Sequence, residues 1–206
     1  IEYPRHINRD LFRLKKLNVH YVFIPKVKDL YNYKRTKKIK LNKEEIILCA
    51  KYRKGHFEGV LDVMDRLTNL IYPKKIFMGE KDYQQYFLVK KFLEKKYNVN
   101  VIKCKTIRSI NKVALSSRNL LFSKKNLLIA GKISNELRKL KSLIFRKNSI
   151  NQFLRLKKKD LMNKFKIKID YLEIRNEKTL KNSKNLKNSR IFIAYYINKI
   201  RLIDNL

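Results

Sequence analysis

The chain has 206 residues, 44% of them hydrophobic, which is enough for a sizeable core in one or two domains. Its 52 Lys and Arg stand against 17 Asp and Glu, a net charge of +35 that favours anionic partners. No apolar run within it reaches the length of a membrane span or forms a secretory apolar core, and Cys49 and Cys104 lack metal-site or redox spacing, so no metal site and two reduced core thiols are expected.

In chain order, residues 6 to 17 have helical apolar spacing and Val19 to Ile24 reads as a strand. A helix is predicted from His56 to Ile71, a strand from Lys75 to Met78, a helix from Asp82 to Lys96 and a strand from Val99 to Cys104. Strands alternating with helices imply a parallel sheet. After Ile107 the pattern changes. Ser123 to Lys166 is a lysine-rich helical stretch through Leu127, Leu128, Ile133, Leu137, Leu140, Leu143 and Ile144. Lys166 to Ile174, Arg190 to Ile197 and Lys199 to Asp204 read as antiparallel strands around a polar loop at Asn176 to Ser189, with Lys178 to Lys187 expected to be mobile. Residues 1–107 therefore form the expected α/β domain, and 108–206 a smaller α+β lid domain.

Three of the four glycines lie in two polar runs, Lys54 to Val60 and Gly79 to Gln85. In a chain this poor in glycine they mark backbone that bends or touches a ligand. Gly79 falls at a predicted strand's carboxyl end, where the following helix turns its free N–H groups and positive dipole toward a bound anion. Asp82 is the expected N-cap, Lys81 can reach a phosphate, and Gln84 or Gln85 offers an amide that both donates and accepts. The simpler readings are a capped turn with a solvated lysine, and His56 as a first-turn residue packed against the sheet.

The ordered set Lys54-Gly55-His56-Phe57-Glu58-Gly59-Val60, Gly79-Glu80-Lys81-Asp82-Tyr83-Gln84-Gln85, Thr106-Ile107-Arg108 and Leu115-Ser116-Ser117-Arg118-Asn119 closely resembles the pantoate–β-alanine ligase family. Tyr3-Pro4-Arg5 with Asp10, Phe23-Ile24-Pro25, Asp170-Tyr171-Leu172-Glu173 and Arg201 to Asn205 extend the resemblance over essentially the whole chain. It implies a Rossmann-like nucleotidyltransferase fold, related to class I aminoacyl-tRNA synthetases, and an ATP-dependent ligase. In that reaction ATP and Mg²⁺ activate (R)-pantoate as an adenylate, which β-alanine converts to pantothenate with release of AMP.

By the same resemblance, Gly79, Glu80, Lys81 and Asp82 bind ATP, and Ile107 contacts it through its backbone. Leu115, Ser116, Ser117 and Arg118 form a phosphate loop, Lys81 and the Ser-Ser-Arg residues are catalytic, Gln85 holds pantoate, and Arg53 and His56 line the site. The family's His-x-Gly-His loop and a second pantoate-binding glutamine precede the matching region, so the chain is expected to be N-terminally incomplete. Lys54 and Lys105 stand where the family prefers proline, Asp62 where it prefers threonine, and Asn111-Lys112 where Asp-Gly is usual. A homodimer is further implied, and the cytoplasm is the default expectation for its location.

Basicity favours a competing nucleic-acid-binding role, and the nucleotide motifs alone would also suit another adenylyl-transfer enzyme of the same superfold. Yet fourteen Lys or Arg and two acidic residues between Ser123 and Lys166 only continue a bias spread through the whole chain. No Arg-rich or aromatic RNA-binding signature interrupts it, so no specific nucleic-acid partner is expected.

Overall fold

The computed structural model describes residues 7–31, 38–144, 149–183 and 187–206. The Tyr3-Pro4-Arg5 motif lies outside them. Helix α1 spans Ile7–Lys16, and a short helix α2 follows at Val27–Leu30. Between them, Val19 to Ile24 is not a strand. Tyr21 is 93% exposed and Val22, Phe23 and Ile24 are exposed too, so the segment has the composition of a strand but no ladder to pair its backbone. Helix α3 (Leu48–Tyr52) buries Leu48, Cys49 and Ala50.

A βαβ unit comes next. Helix α4 (His56–Ile71) leads to β1 (Lys75–Gly79), a 3-10 turn at Glu80–Asp82, helix α5 (Tyr83–Lys96) and β2 (Asn100–Cys104). Strands β1 and β2 pair in parallel from Lys75 opposite Asn100 to Gly79 opposite Cys104. Leu88, Val89 and Leu93 of α5 pack on this unit, with Val89 and Leu93 fully buried. Their spacing is that of one helix face. Cys49 is buried as expected, whereas Cys104 is exposed, because it ends an edge strand instead of crossing the core.

The lysine-rich stretch is two helices, α6 (Lys124–Ile144) and α7 (Ile150–Phe165). Ala130, Ile133, Leu137 and Leu140 form the buried stripe of α6, while Leu128 and Leu143 face solvent. Three antiparallel strands follow in the order β3 (Lys168–Asn176), β4 (Ser189–Ile197) and β5 (Ile200–Asn205). Along β4 alternation separates the two faces: Ile191, Ile193, Tyr195 and Ile197 pack under α6 and α7, and Phe192 and Ala194 pack toward α3, α4 and α5. In β3 a bulge between Ile169 and Tyr171 changes this phase. Ile169 and Leu172 stay on the helix-covered face, and Tyr171 turns to the other. Of the stretch expected to be mobile, residues 184–186 lie outside the described residues, and 178–183 are tied down: Leu180 is 2% exposed and its carbonyl accepts from Arg175 Nη1 at 2.8 Å.

The departure at Asn111-Lys112 has a backbone cost. Lys112 closes the turn that begins at Ser109, donating to the Ser109 carbonyl at 2.8 Å with φ +67°. A left-handed L-residue costs roughly 1–2 kcal/mol, and glycine gives back roughly 0.5–1 kcal/mol through its unfolded-state freedom. Lys112→Gly keeps the carbonyl that accepts from Ser134 Oγ and Arg108 Nη1. It is expected to raise Tm by about 1–3 °C, given roughly 2–4 °C per kcal/mol for a chain of this size. A thermal melt with an unchanged or lower midpoint contradicts this.

Candidate active site

The site lies where β1 ends. Gly79 has extended backbone (φ −68°, ψ 129°), and a Cβ built there meets nothing within 4 Å, so the strand end is open. Asp82 occupies the N-cap position of α5, yet its side chain makes no capping bond. Its carboxylate instead lies 3.7 Å from the Lys81 ammonium, drawn there by charge. The Lys81 side chain is only 15% exposed.

The paired glutamines divide their work. Gln84 is buried and structural: its Nε2 donates to the carbonyls of Glu45 at 3.2 Å and Ile47 at 2.8 Å, and its Oε1 accepts from Ala50 N–H at 3.4 Å. It thereby fastens the segment leading into α3 over the mouth of the βαβ unit. Gln85, one residue on and half-buried, faces the cavity with Lys81 and Asp82.

That cavity is also lined by Arg53, His56, Cys49, Tyr171 and Asn205. Its volume is only about 30 Å³, so a ligand larger than a water molecule must displace side chains on its rim. Larger hollows of about 490 Å³ between α7 and β3 and about 590 Å³ beside α5 contain none of the site residues expected from the sequence. Arg53 and His56 reach the cavity because Gly55, at φ +76°, bends the chain sharply between them at the start of α4. Burial first, and then the charge of Arg53, lowers the pKa of His56, so the imidazole is neutral at neutral pH. Burial and then Arg118 likewise lower that of Arg53.

The Ser-Ser-Arg segment does not line this cavity. Ser116 caps a 3-10 helix at Ser117–Leu121, its Oγ accepting from Arg118 N–H at 3.3 Å. Arg118 Nη1 reaches the Arg201 carbonyl at 3.4 Å. Leu115 N–H donates to the Ile107 carbonyl at 2.9 Å, which sets these two predicted nucleotide contacts side by side with both side chains exposed. Lys81, Asp82, Gln85, Arg53 and His56 are thus gathered around one cavity; Ile107 and Leu115 to Arg118 do not line it, although the Arg118 charge lies close enough to act on Arg53 and His56.

Other residues of the site carry no individual role in the sequence. The bulge at Asp170 brings the Tyr171 hydroxyl within 3.1 Å of Cys49 Sγ, and Arg201 donates from Nε to Asp170 Oδ2 at 2.9 Å. The Glu80 side chain does not line this cavity: its carboxylate accepts from Thr106 N–H at 3.2 Å and from Arg190 Nη2 at 3.2 Å. The Asp-Tyr-Leu-Glu and Arg-Leu-Ile-Asp-Asn runs are the available signal for Asp170, Tyr171 and Arg201. Among the described residues no group of three His, Cys, Asp or Glu side chains is placed to hold a metal ion.

A parallel βαβ unit with basic side chains gathered at its strand end, followed by a three-stranded antiparallel sheet, makes this an α/β protein of the nucleotidyltransferase type. Comparison with known proteins makes this specific. The model of the family described as pantoate-beta-alanine ligase matches residues 1–206, and the chain belongs to that family. Pantothenate synthetase of Flavobacterium psychrophilum is 35% identical, over 100% of this chain and 74% of that protein. That of Pseudothermotoga lettingae is 35% identical over 98% and 73%. Among solved structures, pantothenate synthetase from Thermus thermophilus superposes with a TM-score of 0.90 at 29% identity, covering 100% of this chain and 75% of that one. Pantoate-beta-alanine ligase from Francisella tularensis, complexed with beta-gamma ATP and beta-alanine, gives 0.77 at 31% identity over 99% and 70%.

Proposed function

We propose that this protein is a pantothenate synthetase, joining (R)-pantoate to β-alanine at the expense of ATP through a pantoyl adenylate. The observation that carries this is the family match over residues 1–206 together with the meeting of Lys81, Asp82 and Gln85 at one strand end. A carboxylate must approach an α-phosphate that repels it, so the reaction depends on positioning and charge neutralisation more than on a strong base. Gly79 to Asp82 would receive ATP, with Lys81 against the phosphates. Ile107 and Leu115 to Arg118 would close on the nucleotide from the other side, Ser116, Ser117 and Arg118 following the phosphates. Neutral His56 and cationic Arg53 would line the pantoate end. The amine of β-alanine then attacks the acyl carbon and AMP leaves.

Asp82, 51% exposed at its side chain, has the donor chemistry for Mg²⁺, which keeps most of its waters and takes one or two carboxylates with substrate phosphates. Bound there, the ion would supply further neutralisation of phosphate charge. We further propose division into 1–107 and 108–206, supported by the change from parallel to antiparallel pairing after Cys104. A homodimer is supported by the exposed apolar run Val19 to Ile24. The dependence on ATP supports a cytoplasmic location, and no described helix is long and apolar enough to cross a membrane. Dedicated nucleic-acid binding is not part of the proposal, since the positive charge is dispersed and its attraction to nucleic acid falls steeply with salt.

Gln85 tests the substrate. Its amide matches the hydroxyl and carboxylate of pantoate, so Gln85→Ala is expected to weaken pantoate binding by roughly 1–3 kcal/mol, the cost of leaving polar groups unpaired in a closed site. ATP affinity is expected to stay unchanged. Titration of each ligand by calorimetry decides it, and equal weakening of both removes Gln85 from the pantoate site.

A further inference from the structure

Lys81 stands in the middle of a three-residue turn, too short for its own hydrogen bonds to hold a side chain on target. The restraint comes from the other end of the chain. Asn205, the last residue of β5 and 4% exposed, donates from Nδ2 to the Glu80 carbonyl at 2.9 Å and to the Lys81 carbonyl at 2.8 Å. Those carbonyls belong to the two peptide planes that flank the Lys81 Cα. Because each peptide is planar, fixing both planes fixes φ and ψ of Lys81, and with them the direction of its Cβ.

The amide is itself oriented. Arg190 Nη1 donates to Asn205 Oδ1 at 2.5 Å, which leaves Nδ2 facing the carbonyls. Arg190 also holds Glu80 Oε2 at 3.2 Å, and the Asn205 carbonyl accepts from Arg108 Nη2 at 3.2 Å. A buried amide, oriented by one arginine and anchored by another, therefore grips the backbone on both sides of a single lysine.

We propose that Asn205 is a positioning residue for adenylate formation, acting through Lys81; this rests on Lys81 being the lysine that meets the phosphates. The test is a kinetic cycle of Asn205→Ala, Lys81→Ala and the double variant, with single-turnover adenylate formation and pantoate and ATP affinities measured for each. Asn205→Ala is expected to slow adenylation by about ten- to a hundredfold, as misplacement by an ångström does, with both affinities unchanged. In the Lys81→Ala background the same substitution is expected to add nothing. Equal slowing in both backgrounds, or no slowing in either, overturns the proposal. A normal rate for Lys81→Ala alone would instead remove the lysine assignment underneath it. Should Asn205→Ala fail to fold by circular dichroism, Arg190→Gln leaves the amide in place but unoriented. It is expected to slow adenylation only where Lys81 is present, and a full rate with Lys81 present overturns the proposal.

Discussion

Lys81→Ala is expected to slow pantoyl-adenylate formation by about a hundredfold, or roughly 3 kcal/mol, the loss typical of one charged donor aimed at developing charge. The geometry supports so large an effect. Lys81 is 15% exposed, its backbone is clamped by Asn205 from the opposite end of the chain, and its charge partner is the carboxylate of Asp82 at 3.7 Å. In a cleft partly closed to water, salt and solvent screen such a charge poorly. Because the contact matters most as the α-phosphate is attacked, the rate is expected to fall while pantoate affinity holds. Single-turnover kinetics reads this directly. An alanine variant that forms adenylate at the normal rate would take Lys81 out of the chemistry.

Much of the fold is legible in the sequence because its segments have clear periods. The predicted helix His56 to Ile71 matches α4 to the residue, and β1, α5, β2 and the last three strands agree to within one or two residues. Misreadings come where local composition does not determine the partner. Val19 to Ile24 has strand-forming residues, but a strand exists only with a neighbour to share its hydrogen bonds, and none lies beside it among the described residues. The break between α6 and α7 has no proline or glycine to announce it. The loop after β3 looks polar, yet its apolar Leu180 is an anchor.

The site is legible in its local half. Arg53, His56, Lys81 and Gln85 belong to short motifs at the ends of neighbouring elements, so a correct βαβ unit brings them together. Glycine is a less certain guide. Gly55 needs its positive φ, but Gly59 and Gly79 have neither a left-handed backbone nor a close neighbour, and the crowded glycine is Gly131, whose added Cβ would lie 3.0 Å from the Asn111 carbonyl oxygen. The other half of the site is long-range. Asn205 meets Glu80 across 125 positions, and Tyr171 meets Cys49 across 122, with a bulge deciding which way the tyrosine points. Periodicity carries no information about such pairs.

The same long-range contacts make the fold vulnerable at one buried ion pair. Arg108 donates from Nη1 and Nη2 to the two carboxylate oxygens of Asp204 at 2.8 Å each, and Asp204 also accepts from Asn205 N–H at 2.7 Å. The side chains are 14% and 7% exposed, and the hydrogen bonds to Asp204 raise the Arg108 pKa further above its ordinary value. Asp204→Ala leaves the guanidinium charged, largely buried and short of two acceptors. Removing one partner of such a pair costs roughly 3–5 kcal/mol, mostly the penalty of the stranded charge. At roughly 2–4 °C per kcal/mol, Tm is expected to fall by about 6–20 °C. Arg108→Met with Asp204→Leu removes both charges and is expected to recover most of that loss, because two apolar side chains need no acceptors. Urea titration of the single and double variants separates the possibilities. If Asp204→Ala lost less than about 1 kcal/mol, the value of an exposed pair, water would have to reach Arg108 and the strand end would be open, not sealed.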